Sequence, residues 1–416
     1  MKPASRDRGD MIEIKTPHQK KRLRRLVLSC QGLLNANTFG RGLTGTQSAI
    51  NHLGYVQLDS ISVIERAHHH VLYSRVPGYK PAVVDKLMKN SGLFEYWAHA
   101  AAWLPIRDFR YSLPYKHAIK SGQVHWYKSP DQKLMKELLA RIRIDGPLRS
   151  RDVKKQTEKG AKRSGWWDWK PAKRALEQLY MQGDLMVSGR AGFQKTYDLT
   201  ERVLPSKIDT RMPSVEELAE YLLSQQLRSH GLVSLKGITY LRRNTELKQA
   251  VKTLVSERLS QGILQEVQFP NESKYLIETD ALETPMPRLN NALKILSPFD
   301  NSVIQRDRLK DVFGYDYQLE CYVPAAKRKY GYLSLPLLYS GEFIGRMDCK
   351  AHRKENALEI KSLYLEAHHI DHESFLQAFV VALHQFKEFQ GCEEVVFSGV
   401  FPDFLRHSLK KNYTVM

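Results

Sequence analysis

The chain has 416 residues, 42% hydrophobic and 26% charged: ample apolar material for folded cores, and too much length for one of them, so a soft prior gives about three domains. Its 64 Lys and Arg against 45 Asp and Glu leave a net charge of +19, which points to a polyanionic partner, nucleic acid ahead of an anionic membrane surface. No apolar run approaches the roughly 20 residues that span a bilayer, residues 1–10 lack the apolar core of a signal peptide, and Cys30, Cys321, Cys349 and Cys392 are scattered without a CxxC pair; this argues against a membrane partner, a disulfide framework and a structural zinc site, and fits a reducing cytosol.

Residues 1–17 are polar, mixed in charge and expected to be a disordered tail. Lys20-Lys21-Arg22-Leu23-Arg24-Arg25-Leu26-Val27 opens a helix whose basic face suits phosphates or plain solvent. Residues 46–53 read as a short helix, capped by Thr44 or Thr46 and ended by Gly54 in the left-handed conformation. Tyr55 to Ile61 then alternates like a strand. Val56 and Leu58 point one way; Tyr55, Gln57, Asp59 and Ile61 point the other. The period of two therefore sets the Gln57 amide and the Asp59 carboxylate side by side. They are either the wet face of a half-buried strand or a pair placed to handle one water or one developing charge.

Helix, helix, strand and a basic turn is the order of a winged helix, and two later segments show it more plainly. A helix over 131–144 buries Leu134, Leu138 and Ile142. Gly146-Pro147 turns the chain, Ser150 or Asp152 starts a second helix, and a third runs over 171–182 with Ala175, Leu176 and Leu179 inward. Strands at 185–188 and 193–199 pair across Gly189-Arg190-Ala191-Gly192. In the next unit, Ser214 caps a helix, Leu232 to Leu241 forms the middle, and Thr245 caps a helix ended by Gly262. A hairpin over 263–278 follows. Prolines 205, 213, 285 and 287 mark joints. The expected domains are 18–120, 121–205, 206–287 and 288–416. The last is strand-rich: strands over 315–323, 332–338, 343–349 and 358–365, a helix over 374–389 and a strand over 394–398. It reads as a barrel-like α+β unit closed by Phe404-Leu405-Arg406.

Between Arg141 and Arg174 there are 12 Lys and Arg against 4 Asp and Glu, interleaved with Trp166, Trp167 and Trp169. Such a mixture suits backbone contact and base stacking, or else a solvated linker. The third helix of a winged helix enters a groove, which makes Lys170, Lys173, Arg174 and Gln178 candidate DNA contacts, with Arg163 from the same cluster. His368 and His372 stand at i, i+4, but no third ligand accompanies them, and His68-His69-His70 is no better placed. No P-loop and no GxGxxG motif is present, so no cofactor is expected. No lysine stands in a motif that nominates it as a nucleophile.

Several stretches are similar to the YcaQ/AlkZ family of winged-helix DNA glycosylases, nearer the YcaQ branch. They are Leu53-Gly54-Tyr55-Val56-Gln57-Leu58-Asp59-Ser60-Ile61, Arg66-Ala67-His68-His69, Glu95-Tyr96-Trp97-Ala98-His99-Ala100, Leu296-Ser297-Pro298-Phe299-Asp300-Asn301, and Tyr330-Gly331-Tyr332 through Gly345-Arg346-Met347-Asp348. The resemblance spans about residues 18–410. It implies tandem winged helices and a β-barrel around a basic cleft, with excision of bulky N7-alkylated guanines and unhooking of interstrand crosslinks in double-stranded DNA. The family's catalytic motif, Gln, an apolar residue, then Asp or Gln, falls on Gln57, Leu58 and Asp59; Asp in the last place is the YcaQ form. The hairpin at Tyr339-Ser340-Gly341-Glu342 resembles the family's groove-probing element, which adds Tyr339 and Ser340 to the candidate contacts. Glu342 at its tip would face phosphate repulsion. The expected form is a bacterial cytoplasmic monomer associated with the nucleoid. A winged-helix transcriptional regulator, or a structural DNA-binding protein, would explain the charge and the repeated units but not the paired Gln57 and Asp59.

Overall fold

The computed structural model describes residues 11–153, 169–366, 371–402, 405 and 414–415. The expected tail at residues 1–10, Arg163, Trp166, Trp167, His368, His369, Phe404 and Arg406 lie outside them, as does the side chain of Lys170. The chain divides into two units. One joins its two ends, Met1–Lys80 and Leu222–Met416; the other is Pro81–Tyr221. The first boundary falls inside the expected domain 18–120.

In the unit of the chain ends, residues 11–16 are not tail. Ile12–Glu13 is a strand that runs parallel to Leu264–Gln268, and Ile14 is buried beside it. Thr16 and Gln19 then form a capping box on the Pro17–Cys30 helix. That helix buries Leu23, Leu26, Val27 and Leu28. Its basic side is largely occupied: Arg24 donates to the Val312 carbonyl (2.9 Å) and Arg25 to those of Met286 and Pro287 (2.9 Å each). Helix Val215–His230, turn Leu235–Ile238, helix Thr245–Ser260 and the hairpin of Leu264–Gln268 with Lys274–Glu278 follow the expected order. Asn244, not Thr245, caps the last helix, its side chain accepting the Leu247 N–H at 2.8 Å.

The C-terminal sheet has six strands in the order Leu293–Ile295, Leu335–Tyr339, Glu342–His352, Ala357–Leu365, Glu394–Val400 and Thr414–Val415. It is open, with its first and last strands as edges, so the expected barrel does not close. The chain leaves Ala357–Leu365, crosses through helix His372–Phe389, and re-enters parallel at Glu394–Val400, so that a helix covers one face of the sheet. The helix covers the sheet with Phe375, Phe379, Leu383 and Phe386. Residues 315–323 form no ladder, although they alternate like a strand. Tyr315 and Tyr317 are buried, and their hydroxyls bond the carbonyls of Gly345 (2.8 Å) and Ser334 (2.7 Å).

The Pro81–Tyr221 unit has its own core. Asp131 caps Gln132–Asp145, which buries Met135, Leu138 and Ile142. Leu148–Arg149 pairs with Gln194–Leu199, which pairs in turn with Leu185–Ala191. Where a second helix is expected, the described residues hold one short 3-10 turn, Ser150–Asp152. Helix Trp169–Met181 follows. A hairpin of Leu93–Trp97 with Ala101–Pro105, absent from the sequence reading, belongs to the same unit.

Candidate active site

The Gly54–Arg66 stretch is held at both ends by distant parts of the chain. Gly54 ends helix Gly42–Leu53 at φ 78°. A Cβ there would sit 2.3 Å from the Gln225 amide nitrogen, which itself donates to the Leu53 carbonyl at 2.7 Å. Glycine is therefore required twice, for its dihedral and for this approach. The expected cap does not form: Arg41 begins the helix, and Thr46 lies inside it with its hydroxyl donating to the Gly42 carbonyl (2.7 Å). Next, the Asn301 amide donates to the Tyr55 carbonyl at 3.1 Å. On the far side, the Val63 carbonyl accepts the Ala351 N–H (2.7 Å), that of Ser62 accepts Arg353 (3.0 Å), and Gln390 accepts the Glu65 N–H (2.6 Å).

Between these anchors the expected alternation fails. Regular strand covers only Val56–Gln57, and Tyr55, Val56, Gln57 and Leu58 are all buried. Gln57 is not on a wet face. Asp59 follows in a loop, half-buried, next to the exposed Ser60. One Asp59 oxygen accepts the Ile61 N–H at 2.7 Å. Burial raises the Asp59 carboxyl above its ordinary value, and the Ile61 bond offsets this in part. Among the described residues no cation lies within ion-pair distance of it. Burial raises the Cys321 thiol and the Tyr322 phenol, and the Asp59 charge adds a smaller upward push to each. These two neighbours were not foreseen, because nothing in the local pattern brings residues 59 and 321 together.

The other motif residues are structural. Arg75 and Asp300 form a two-pronged pair (2.6 and 2.8 Å) with both side chains out of solvent. Burial alone would raise Asp300, yet Arg75 and the Ser302 bonds hold it below its usual range. Asp348 accepts the N–H groups of Tyr332 (2.9 Å) and Leu333 (3.0 Å), and Gly331 leaves room for its carboxylate. The Arg346 guanidinium lies 4.0 Å from the Tyr330 ring centre. In the Pro81–Tyr221 unit, Arg190 grips Glu95 (2.8 and 2.9 Å), and Lys195 adds a third contact at 3.0 Å. Burial pushes His70 down to about 4, and its ring N–H donates to the Ile295 carbonyl at 2.8 Å. Among the described residues no three His, Cys, Asp or Glu side chains are placed to hold a metal, and no helix is long and apolar enough to cross a membrane.

The candidate DNA contacts divide. Lys173 and Arg174 are exposed on helix Trp169–Met181, Arg174 with its guanidinium 4.8 Å from the Tyr127 ring centre. Gln178 on the same helix is a correction: it is buried, sharing the inner face with Ala175 and Leu179, and its amide donates to Gln182 at 3.2 Å. Tyr339 is likewise buried in the core of the six-stranded sheet, edge-on to Phe375. The hairpin tip is a two-residue turn, Ser340 at φ 48° and Gly341 at φ 83°. Ser340 is half-buried. A Cβ on Gly341 would come within 2.8 Å of Leu289, and Glu342 is paired with Arg24 at 2.6 Å. The tip is docked on its own unit rather than projecting as a probe.

A family model described as "DNA glycosylase AlkZ-like" matches residues 50–389. Among solved structures, the Streptomyces sahachiroi DNA glycosylase AlkZ is similar with a TM-score of 0.59 at 14% identity, covering 93% of this chain and 100% of that one. This second likeness is one of fold.

Proposed function

The chain belongs to the AlkZ-like DNA glycosylase family, and from that premise we propose that it hydrolyses the N-glycosidic bond of N7-alkylguanine in duplex DNA and unhooks interstrand crosslinks made through that nitrogen. Asp59 carries the reading. It is a carboxylate that folding leaves half-buried, partly desolvated and, among the described residues, without a cation at ion-pair distance. N7 alkylation makes guanine a cation, so the base leaves readily without strong protonation. The C1′–N9 bond breaks with its electron pair going to the base, which departs neutral. The sugar becomes oxocarbenium-like, and the Asp59 carboxylate stabilises that charge. Water adds to C1′, and its proton passes to Asp59 or to solvent. Gln57 orients the carboxylate or the water. With no lysine nucleophile in the scheme, the product is an intact abasic site.

The run of residues 121–205 (helix, strand, helix, hairpin) and that of 206–287 (helix, short helical turn, helix, hairpin) are read as winged helices, with 18–120 as a third, and the exposed Lys173 and Arg174 as phosphate contacts. A crosslinked base cannot be flipped without dragging its partner, so the lesion is met from a groove rather than in a closed pocket. The test is a defined duplex carrying one N7-methylguanine or one nitrogen-mustard crosslink, followed by heat or alkali. Strand cleavage at the lesion and no borohydride-trapped protein–DNA adduct are expected. Duplex binding without any excision would favour a regulator instead.

A further inference from the structure

Tyr322 is exposed by 77%, and among the side chains described it is the only exposed aromatic. A large ring left in water gains nothing for the fold. Yet the turn that carries it is tightly fixed. The Glu320 carboxylate accepts the N–H groups of Lys329 (3.0 Å), Tyr330 (2.8 Å) and Gly331 (3.1 Å). The Glu320 carbonyl accepts the Val323 N–H at 2.9 Å. Arg328 then donates to the carbonyls of Val323 (2.9 Å) and Glu320 (3.2 Å), closing the loop across its mouth. The ring therefore stands on a rigid mount, with the Asp59 carboxylate in electrostatic reach of its phenol.

We propose that Tyr322 is the platform on which a singly alkylated base stacks once it has left the duplex stack, and so a specificity residue for cationic purines that are not crosslinked. This rests on the reading of Asp59 given above. A base that carries positive charge is drawn both to a π face and to a nearby carboxylate, whereas a neutral guanine gains only the stacking. A turn whose backbone is already fixed loses little entropy when the base arrives. Together, ring and carboxylate recognise the one property that separates N7-alkylguanine from the normal base.

The test uses binding to a duplex containing 2′-fluoro-N7-methylguanine, whose sugar resists oxocarbenium formation and so is not cleaved, against the same duplex with plain guanine. The wild-type protein should prefer the lesion. Tyr322→Ala should lose about five- to a hundredfold of affinity for the lesion duplex, the range of one base–aromatic stack, and little for the plain one. Tyr322→Phe should restore the preference. A wild-type protein without preference, an alanine variant that keeps it, or a phenylalanine variant that fails to restore it would each overturn the proposal. Excision of ordinary N7-methylguanine, measured in parallel, separates the two readings. Preference without excision sinks the glycosylase reading and leaves the stack standing; excision with an indifferent Tyr322→Ala does the reverse.

Discussion

Asp59 and Asp300 are carboxylates in the same unit, and the fold treats them in opposite ways. Asp300 is fully enclosed, with both oxygens on Arg75 and further bonds from the Ser302 N–H (2.9 Å) and hydroxyl (2.6 Å). Asp59 accepts the Ile61 N–H and, among the described residues, has no cation at ion-pair distance. Burial acts on both. Only at Asp300 is it outweighed, so one carboxyl ends below its usual range and the other above. A buried carboxylate with all its partners is an organising joint; one desolvated without a counter-ion is held ready for a positive charge from outside.

The sharpest way to break this contrast is Asp300→Ala. Removing one partner strands Arg75 in the core, and a loss of about 3–5 kcal/mol is expected by denaturant unfolding. Because the folded Asp300 carboxyl is depressed, its contribution is present above the unfolded value and lost as pH falls through the folded one. The gap to wild type should therefore narrow in acid. A gap that stays constant from neutral pH to acid would count against the pairing.

Asp59→Asn should do the opposite. Single-turnover excision should fall roughly a hundredfold or more, the size of such an electrostatic or base contribution, with duplex affinity nearly unchanged. Stability should not fall. The folded Asp59 carboxyl is raised, so ionising it above that value disfavours the folded state, and the penalty vanishes below its ordinary 3.8. The variant should match or exceed the wild-type Tm at pH 7 and lose that advantage in acid. Wild-type excision by Asp59→Asn would leave Asp59 as loop surface only. Gln57→Ala should slow excision less.

Gly54→Ala probes what holds the stretch. A left-handed dihedral and a Cβ pressed on Gln225 should together cost about 1–3 kcal/mol and slow excision. An alanine variant with unchanged stability and rate would show that Gln225 is no anchor. The smallest effect is expected from Glu342→Gln, since an exposed pair is worth about 0–1 kcal/mol. It should remove a negative charge beside Arg24 and tighten duplex binding a few-fold at low salt, with no change once salt screens the contact; weaker binding would point to a direct role for Glu342.

Local pattern revealed the helices at 17–30, 42–53, 132–145, 169–181, 215–230, 245–260 and 372–389 and the two hairpins at 185–199 and 264–278, because their apolar periods and turn residues lie within a few positions of each other; the shorter helices at 67–73, 82–89, 113–120 and 306–313 gave no such signal. It also pointed to the Gln57–Asp59 motif and to Gly54. It was blind to Ile12–Glu13, whose partner lies some 250 residues away, and it overread 315–323, where tyrosine hydroxyls take the place of a ladder. Gln178 and Tyr339 were misassigned although the signal was present: Gln178 is three residues from Ala175 on an apolar stripe, and Tyr339 continues the Leu335, Leu337 alternation. Polarity of type outweighed position. Cys321 and Tyr322 beside Asp59 follow from tertiary placement alone.

The anchors of the Gly54–Arg66 stretch come from residues 225, 301, 351, 353 and 390. During synthesis, a chain released from the ribosome in order would present its motif hundreds of residues before the groups that hold it, while Pro81–Tyr221 already has its own core to fold around. Nascent and prematurely terminated chains would then carry a folded Pro81–Tyr221 unit while the Gly54–Arg66 stretch still lacked the groups that hold it.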